Sequence, residues 1–142
     1  MTTSYTDQAR ANESADQQAV RDVIQAYADR MRSADVAGIN DLYTDDATVM
    51  APDQPTAVGR EQLTDIYRAA LDAVVMDFTF AFDEVIVRDD TAVARTRTDG
   101  KNTIRANGQE IPGRYRELFV LHRTDAGWKI AQYMFQPQPE QP

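Results

Sequence analysis

The sequence predicts an α+β domain, a cone-shaped curved antiparallel sheet of four long strands plus a short one packed on three N-terminal helices. Three observations predict it. Apolar residues recur with a helical period through residues 14–74, and the period changes to two from Met76 onward. Asn107-Gly108 then separates two alternating runs, as a hairpin turn would. The 142 residues also suit one domain, which most often spans about 100–150 residues. The expected domain is 14–135, flanked by disordered tails at 1–13 and 136–142.

The first helix is expected over residues 14–32. Ser14 and Gln17 have capping-box spacing, and Val20, Ile24, Tyr27, Ala28 and Met31 form one apolar stripe. Asp35 caps a short second helix that turns Val36, Ile39, Leu42 and Tyr43 inward, and Asp45-Asp46 ends it. Residues 47–50 read as the short strand, and Pro52 and Pro55 bracket a loop. Gly59 opens the third helix, with Leu63, Ile66, Tyr67, Ala70, Leu71 and Val74 on its buried stripe. Phe78, Phe80 and Phe82 alternate as a strand with one buried face. Asp83-Glu84 interrupts that run and Val85 resumes it. Residues 91–105 form a long strand with an expected bulge at Asp99-Gly100. Asn107-Gly108 predicts a type I′ turn, and residues 115–123 and 128–135 are the last two strands. Such a sheet buries its apolar face only by curling around the helices, and a curled sheet leaves a pocket at its wide end.

Composition excludes several functions. The net charge of -8 repels phosphate backbones and anionic lipids, so neither nucleic acid nor a membrane surface is an expected partner. Without cysteine there is no disulfide, thiolate metal site or cysteine nucleophile. His122 is the single histidine, so no metal site is expected, and Asp45-Asp46 reads as a turn rather than a metal ligand pair. No glycine-rich phosphate loop or dinucleotide fingerprint occurs, so no cofactor is expected. There is no signal-like leader or membrane span, which implies a cytoplasmic protein.

Several segments carry a family resemblance. They are Val20-Arg-Asp-Val-Ile-Gln-Ala-Tyr27, Asp45-Asp-Ala-Thr-Val49, Gly59-Arg-Glu61, Tyr115-Arg-Glu-Leu-Phe-Val120 and Gly127-Trp-Lys-Ile-Ala-Gln-Tyr-Met-Phe135. Over residues 14–135 the chain resembles the nuclear transport factor 2-like superfamily, which holds the SnoaL-like polyketide cyclases and the ketosteroid isomerases. Within it the chain is most similar to the SgcJ/EcaC group, associated with enediyne polyketide biosynthesis. The resemblance implies a cofactor-free acid–base isomerase or cyclase acting on a polyketide or polyene in a secondary-metabolite pathway. It implies Tyr27 as an oxyanion donor and Glu117 as a second, protonated donor. It puts the isomerases' general base at Ala51, ahead of Pro52, and alanine cannot take a proton.

The residues themselves leave alternatives open. Tyr27 lies on a buried stripe, as a core tyrosine or as a donor at a pocket floor. Glu117 shares its face with Tyr115, Phe119 and Leu121, so it either meets an apolar pocket, which raises its pKa, or pairs with Arg95 or Arg97 across the next strand. Arg95 and Arg97 share a face that either recognises a ligand oxyanion or lies outside, at an interface or in solvent. The candidate catalytic residues are Tyr27 and Glu117, and the candidate ligand contacts are Tyr43, Arg95, Arg97, Phe119 and Tyr133. The expected partners are a hydrophobic small molecule and a second copy docked through the sheet. The alternatives are a carrier that shields or delivers an intermediate without reacting, and a protein that docks other enzymes through its sheet.

Overall fold

The structure, a computed structural model, describes residues 5–139, with side chains from residue 14 onward. Its elements are α1 (Tyr5–Arg32), α2 (Val36–Asn40), β1 (Tyr43–Met50), β2 (Ala57–Val58), α3 (Gly59–Ala73), β3 (Val74–Asp77), β4 (Phe80–Arg88), β5 (Thr91–Ile104), β6 (Glu110–Thr124) and β7 (Gly127–Pro137). One seven-stranded sheet runs β2-β1-β7-β6-β5-β3, and β4 also pairs with β5. It is mixed rather than purely antiparallel, because β1 runs parallel to β7. The sheet curls into a half-barrel against the helices, the expected α+β architecture.

Most of the α1 and α3 stripes is buried where periodicity places it. Val20, Ile24, Tyr27, Ala28 and Met31 of α1 and Leu63, Tyr67 and Leu71 of α3 all join one core with the inner sheet face. Asp35 caps α2, its carboxylate accepting from Gly38 N at 2.9 Å. Several boundaries differ from expectation: Leu42 and Tyr43 lie beyond α2, with Tyr43 opening β1; Val74 opens β3 rather than closing the α3 stripe; and β6 begins at Glu110 rather than at Tyr115. Helix α1 begins at Tyr5, so Ser14 is helical interior and residues 5–13, which hold no glycine or proline, continue the helix. Asp45-Asp46 does not end a helix but lies within β1. At the other end, Gln136 and Pro137 still belong to β7, and Gln138 N donates to Arg114 O at 3.0 Å. The rest of the expected C-terminal tail from residue 140, and residues 1–4, lie outside the described residues.

Strand register and turn geometry correct two further details. Asp99-Gly100 carries no bulge, since Asp99 faces Arg114 and Gly100 faces Gly113 in unbroken register. Strand β5 changes its other neighbour there, pairing with β4 up to Thr98 and with β3 from Lys101. The link from β3 to β4 crosses so close that a Cβ on Gly100 would sit 2.5 Å from Asp77 O and from Phe78 Cβ. The β5–β6 turn is not type I′, because Gly108 has positive φ and Asn107 does not. Gly108 N instead reaches back to Ile104 O at 2.8 Å, a wider turn. A two-residue turn would set Glu117 opposite Thr98, and the observed register sets it opposite Thr96. A shift of two residues keeps every side chain on its expected face.

Two bulges do exist. Phe82 pairs with Thr96 and Glu84 with Arg95, leaving Asp83 as the extra residue of β4. That resets the alternation: Phe80 and Val85 both face the core, while Asp83 and Glu84 both meet arginines of the outer face. Ala131 is the extra residue of β7, between Ile130 and Gln132. It lets Ile130 and Tyr133 face inward despite opposite parity. No helix among the described residues is long and apolar enough to cross a membrane.

Candidate functional site

Between the curled sheet and the helices lies a cavity of about 570 Å³. That size is typical of small-molecule sites. Tyr27 of α1, Tyr67 of α3, and Glu117 and Tyr133 of the sheet line its deep end. Exposed Gln54, Pro55 and Asp65 mark the mouth, between the β1–β2 loop and α3. Met31, Met76, Phe78, Phe80 and Phe135 supply apolar wall. The cavity survives because large aromatic rings brace one another around it. Tyr133 stacks on Phe119 at 4.3 Å and on Phe135 at 5.2 Å, and Phe80 meets Phe119 edge-on at 5.5 Å.

Glu117 is the chemical feature of this space. It is 4% exposed, on β6, where its neighbours on the inner face, Phe119 and Leu121, are fully buried. An isolated carboxylate there would be costly to bury. Two hydroxyls of β5 offset that cost: Thr96 Oγ1 donates to Oε1 at 2.7 Å and Thr98 Oγ1 donates to Oε2 at 2.8 Å. Burial nevertheless pushes the Glu117 pKa above the ordinary glutamate value, the two threonine donors pull against it, and the negative charge of Asp83 adds to the rise. The group is therefore positioned to exchange a proton nearer neutrality than a free glutamate would.

Beside it, three phenols form a hydrogen-bonded cluster. The Tyr67 hydroxyl lies 2.8 Å from that of Tyr27 and 2.5 Å from that of Tyr43. Burial raises the pKa of Tyr27, Tyr43, Tyr67 and Tyr133 well above that of a free tyrosine. All four stay protonated at physiological pH and serve as hydrogen-bond donors rather than acids.

The structure brings some of the sequence-derived candidates together and separates others. Tyr27, Glu117 and Tyr133 line the cavity. Tyr43 and Phe119 do not: both are fully buried one layer behind the wall, against Tyr67 and Tyr133 respectively. Arg95 and Arg97 are not ligand contacts in this cavity either. Strand alternation turns them to the outer face, where Arg97 Nε meets Asp83 at 2.9 Å and Arg95 meets Glu84 at 3.4 Å. The same alternation turns Thr96 and Thr98 inward, so Glu117 has hydroxyl partners and no arginine. His122 is exposed on the outer face. Among the described residues no three His, Cys, Asp or Glu side chains form a metal-binding group.

Sequence reasoning missed Tyr67, Asp65 and the two threonines. Tyr67 was visible only as a stripe residue, and its hydroxyl matters because α1 and β1 each bring a phenol to it. The threonines alternate with Arg95 and Arg97, so strand parity carried a signal for them. Their pairing to Glu117 depended on hairpin register.

Comparison with known proteins agrees with this architecture. The SnoaL-like domain model matches residues 20–135. A ketosteroid isomerase-like protein from Erwinia carotovora atroseptica is 32% identical, with a TM-score of 0.76 over 81% of this chain and 90% of that one. An NTF2-like protein with a cystatin-like fold from Novosphingobium aromaticivorans superposes with a TM-score of 0.80 at 20% identity, covering 99% of this chain and 94% of that one. An NTF2-like superfamily protein from Salmonella enterica serovar Typhimurium gives a TM-score of 0.80 at 20% identity, covering 91% and 95%. The two more distant structures show the shared fold alone. No curated protein matches the sequence. A half-barrel enclosing a cavity, matched by a family model over most of its length and by a solved relative at 32% identity, places the chain in the SnoaL-like family.

Proposed function

We propose that this protein binds a hydrophobic small molecule in the half-barrel and moves a proton on it without a cofactor. The observation that carries the reading is Glu117, buried in the wall of an apolar cavity that also receives the Tyr27 phenol. Ionised Glu117 would remove a proton from carbon next to a ligand carbonyl, and the raised pKa makes it a stronger base than a free glutamate. Negative charge then gathers on the carbonyl oxygen, where Tyr27 would donate. If Tyr43 donates to Tyr67 and Tyr67 to Tyr27, the Tyr27 proton is left for the ligand. Protonated Glu117 returns its proton at the same or a neighbouring carbon, which completes an exchange or an isomerisation with atoms and charge balanced. The 32% identical ketosteroid isomerase-like relative supports this chemistry.

The test uses an apolar enolisable ketone, 2-tetralone, in D₂O. The wild-type protein should speed deuterium incorporation beside the carbonyl, followed by NMR. Glu117→Gln should abolish the acceleration. Tyr27→Phe should lower it by about 10²–10³, as loss of one oxyanion donor does. Equal rates in wild type and both variants would end the assignment.

One observation favours a second reading, a carrier that shields or delivers an intermediate. Ala51 lines the cavity at the place where the family resemblance puts the isomerases' base. Saturable 2-tetralone binding with no exchange would select it. The motif resemblance to the SgcJ/EcaC group supports a narrower substrate, a polyketide or polyene of enediyne biosynthesis. The outer sheet face supports a homodimer: Met50, Met134 and Leu118 are exposed and lie side by side across β1, β7 and β6.

A further inference from the structure

The charge inventory of the cavity narrows what it will hold. Two carboxylates line it, Glu117 at depth and Asp65 at the mouth, and no described arginine, lysine or histidine does. Most cations of the adjoining elements are committed elsewhere. Lys101 pairs with Glu110 at 3.2 Å, Arg97 with Asp83 at 2.9 Å, and Arg114 faces Asp99 at 3.8 Å. Arg105 Nε donates to Leu71 O at 2.9 Å, and Arg32 Nη1 donates to Phe78 O at 2.5 Å. Arg68 is exposed on α3 and does not line the cavity.

Resting on the reading above, we propose that this cavity selects neutral, oxygen-bearing apolar ligands and rejects those that carry a carboxylate or phosphate. An anion entering it would shed water and find no cation, and it would pass Asp65 on the way. An ammonium would shed more water than a ketone does, and at depth it meets a carboxylate whose charge two threonine hydroxyls already share, within apolar walls. A ketone, ester or hydroxyl oxygen costs less to desolvate and meets phenol donors. The enzymes that precede and follow this protein must then hand over and receive molecules whose acidic groups are masked or absent in the portion the cavity encloses.

Three naphthalenes of one size test this by equilibrium dialysis at pH 8: 2-acetylnaphthalene, 2-naphthoate and 2-(aminomethyl)naphthalene. The ketone should bind at least about tenfold more tightly than either ion, since 1.4 kcal/mol of unfavourable burial is one decade. Asp65→Asn and Glu117→Gln should each raise affinity for naphthoate, and raise it relative to that for the ketone. Naphthoate binding within threefold of the ketone, or the amine binding more tightly than the ketone, would overturn the selectivity and leave the cavity reading standing. Failure of both variants to improve naphthoate binding would overturn its electrostatic cause. Failure of all three compounds to bind would overturn the ligand-cavity reading and this proposal with it.

Discussion

Replacing Thr96 by valine removes one hydroxyl and keeps the shape of the side chain, so it isolates one donor to Glu117. Thr96 is fully buried and its Oγ1 lies 2.7 Å from Glu117 Oε1. A hydrogen bond to a neutral group contributes about 0.5–1.5 kcal/mol net, and one to a charged group about 1.5–3 kcal/mol. Thr96→Val should therefore cost about 0.5–1.5 kcal/mol where Glu117 is protonated and about 1.5–3 kcal/mol where it is ionised. The sign follows from burial. The folded-state pKa of Glu117 is raised, so its contribution to stability is fully present below the ordinary glutamate range and is lost as pH rises through the raised value. The variant raises that pKa further, so its extra cost sets in as pH climbs out of the acid range. Urea unfolding of both proteins across a pH series reads the difference directly, with the m-value as the check that two-state behaviour holds. A cost that is flat with pH, or larger in acid, would refute the account of Glu117 as a buried carboxylate held by hydroxyl donors.

Tyr67→Phe should lower stability by about 1–3 kcal/mol, because it strands the buried hydroxyl of Tyr43 and unties that of Tyr27. An unchanged thermal midpoint would mean that the phenols do not depend on one another. Gly100→Ala should destabilise by about 1–3 kcal/mol through the forced shift of the β3–β4 link, and wild-type stability in chemical denaturation would contradict the close approach. Leu118→Lys with Met134→Lys should turn a dimer into a folded monomer by light scattering, and a wild-type monomer would remove the sheet face as an interface. Arg95→Gln and Arg97→Gln should leave 2-tetralone affinity unchanged, since both side chains point away from the cavity; a large loss would move the site to the outer face.

How much of this was legible in the chain depends on which physical rule wrote each feature. Helical stripes are local. Ile24, Tyr27 and Met31 share a face by spacing alone, and so do Leu63, Tyr67 and Leu71. The inward face of β6 was legible too, because Glu117 alternates with Phe119 and Leu121 and all three are buried. Strands β4 and β7 were harder. Phe80 and Val85 have opposite parity, as do Ile130 and Tyr133, and an alternation rule cannot keep both members of either pair inside. Bulges at Asp83 and Ala131 resolve that conflict, and a bulge forms only against a neighbouring strand. The fate of Arg95 and Arg97 followed from the same pairing, since the bulge turns Asp83 and Glu84 outward to meet them.

By itself the order of amino acids determined the buried stripes of the helices, the inward face of β6 and the family, because these depend on periods of a few residues and on motifs contiguous along the chain. Only the tertiary structure decided that Glu117 would meet two threonines, that three phenols from α1, β1 and α3 would share hydrogen bonds, and that an open volume would remain beside them. Those outcomes depend on hairpin register and on how far the sheet curls, and both are set by contacts between segments distant in sequence.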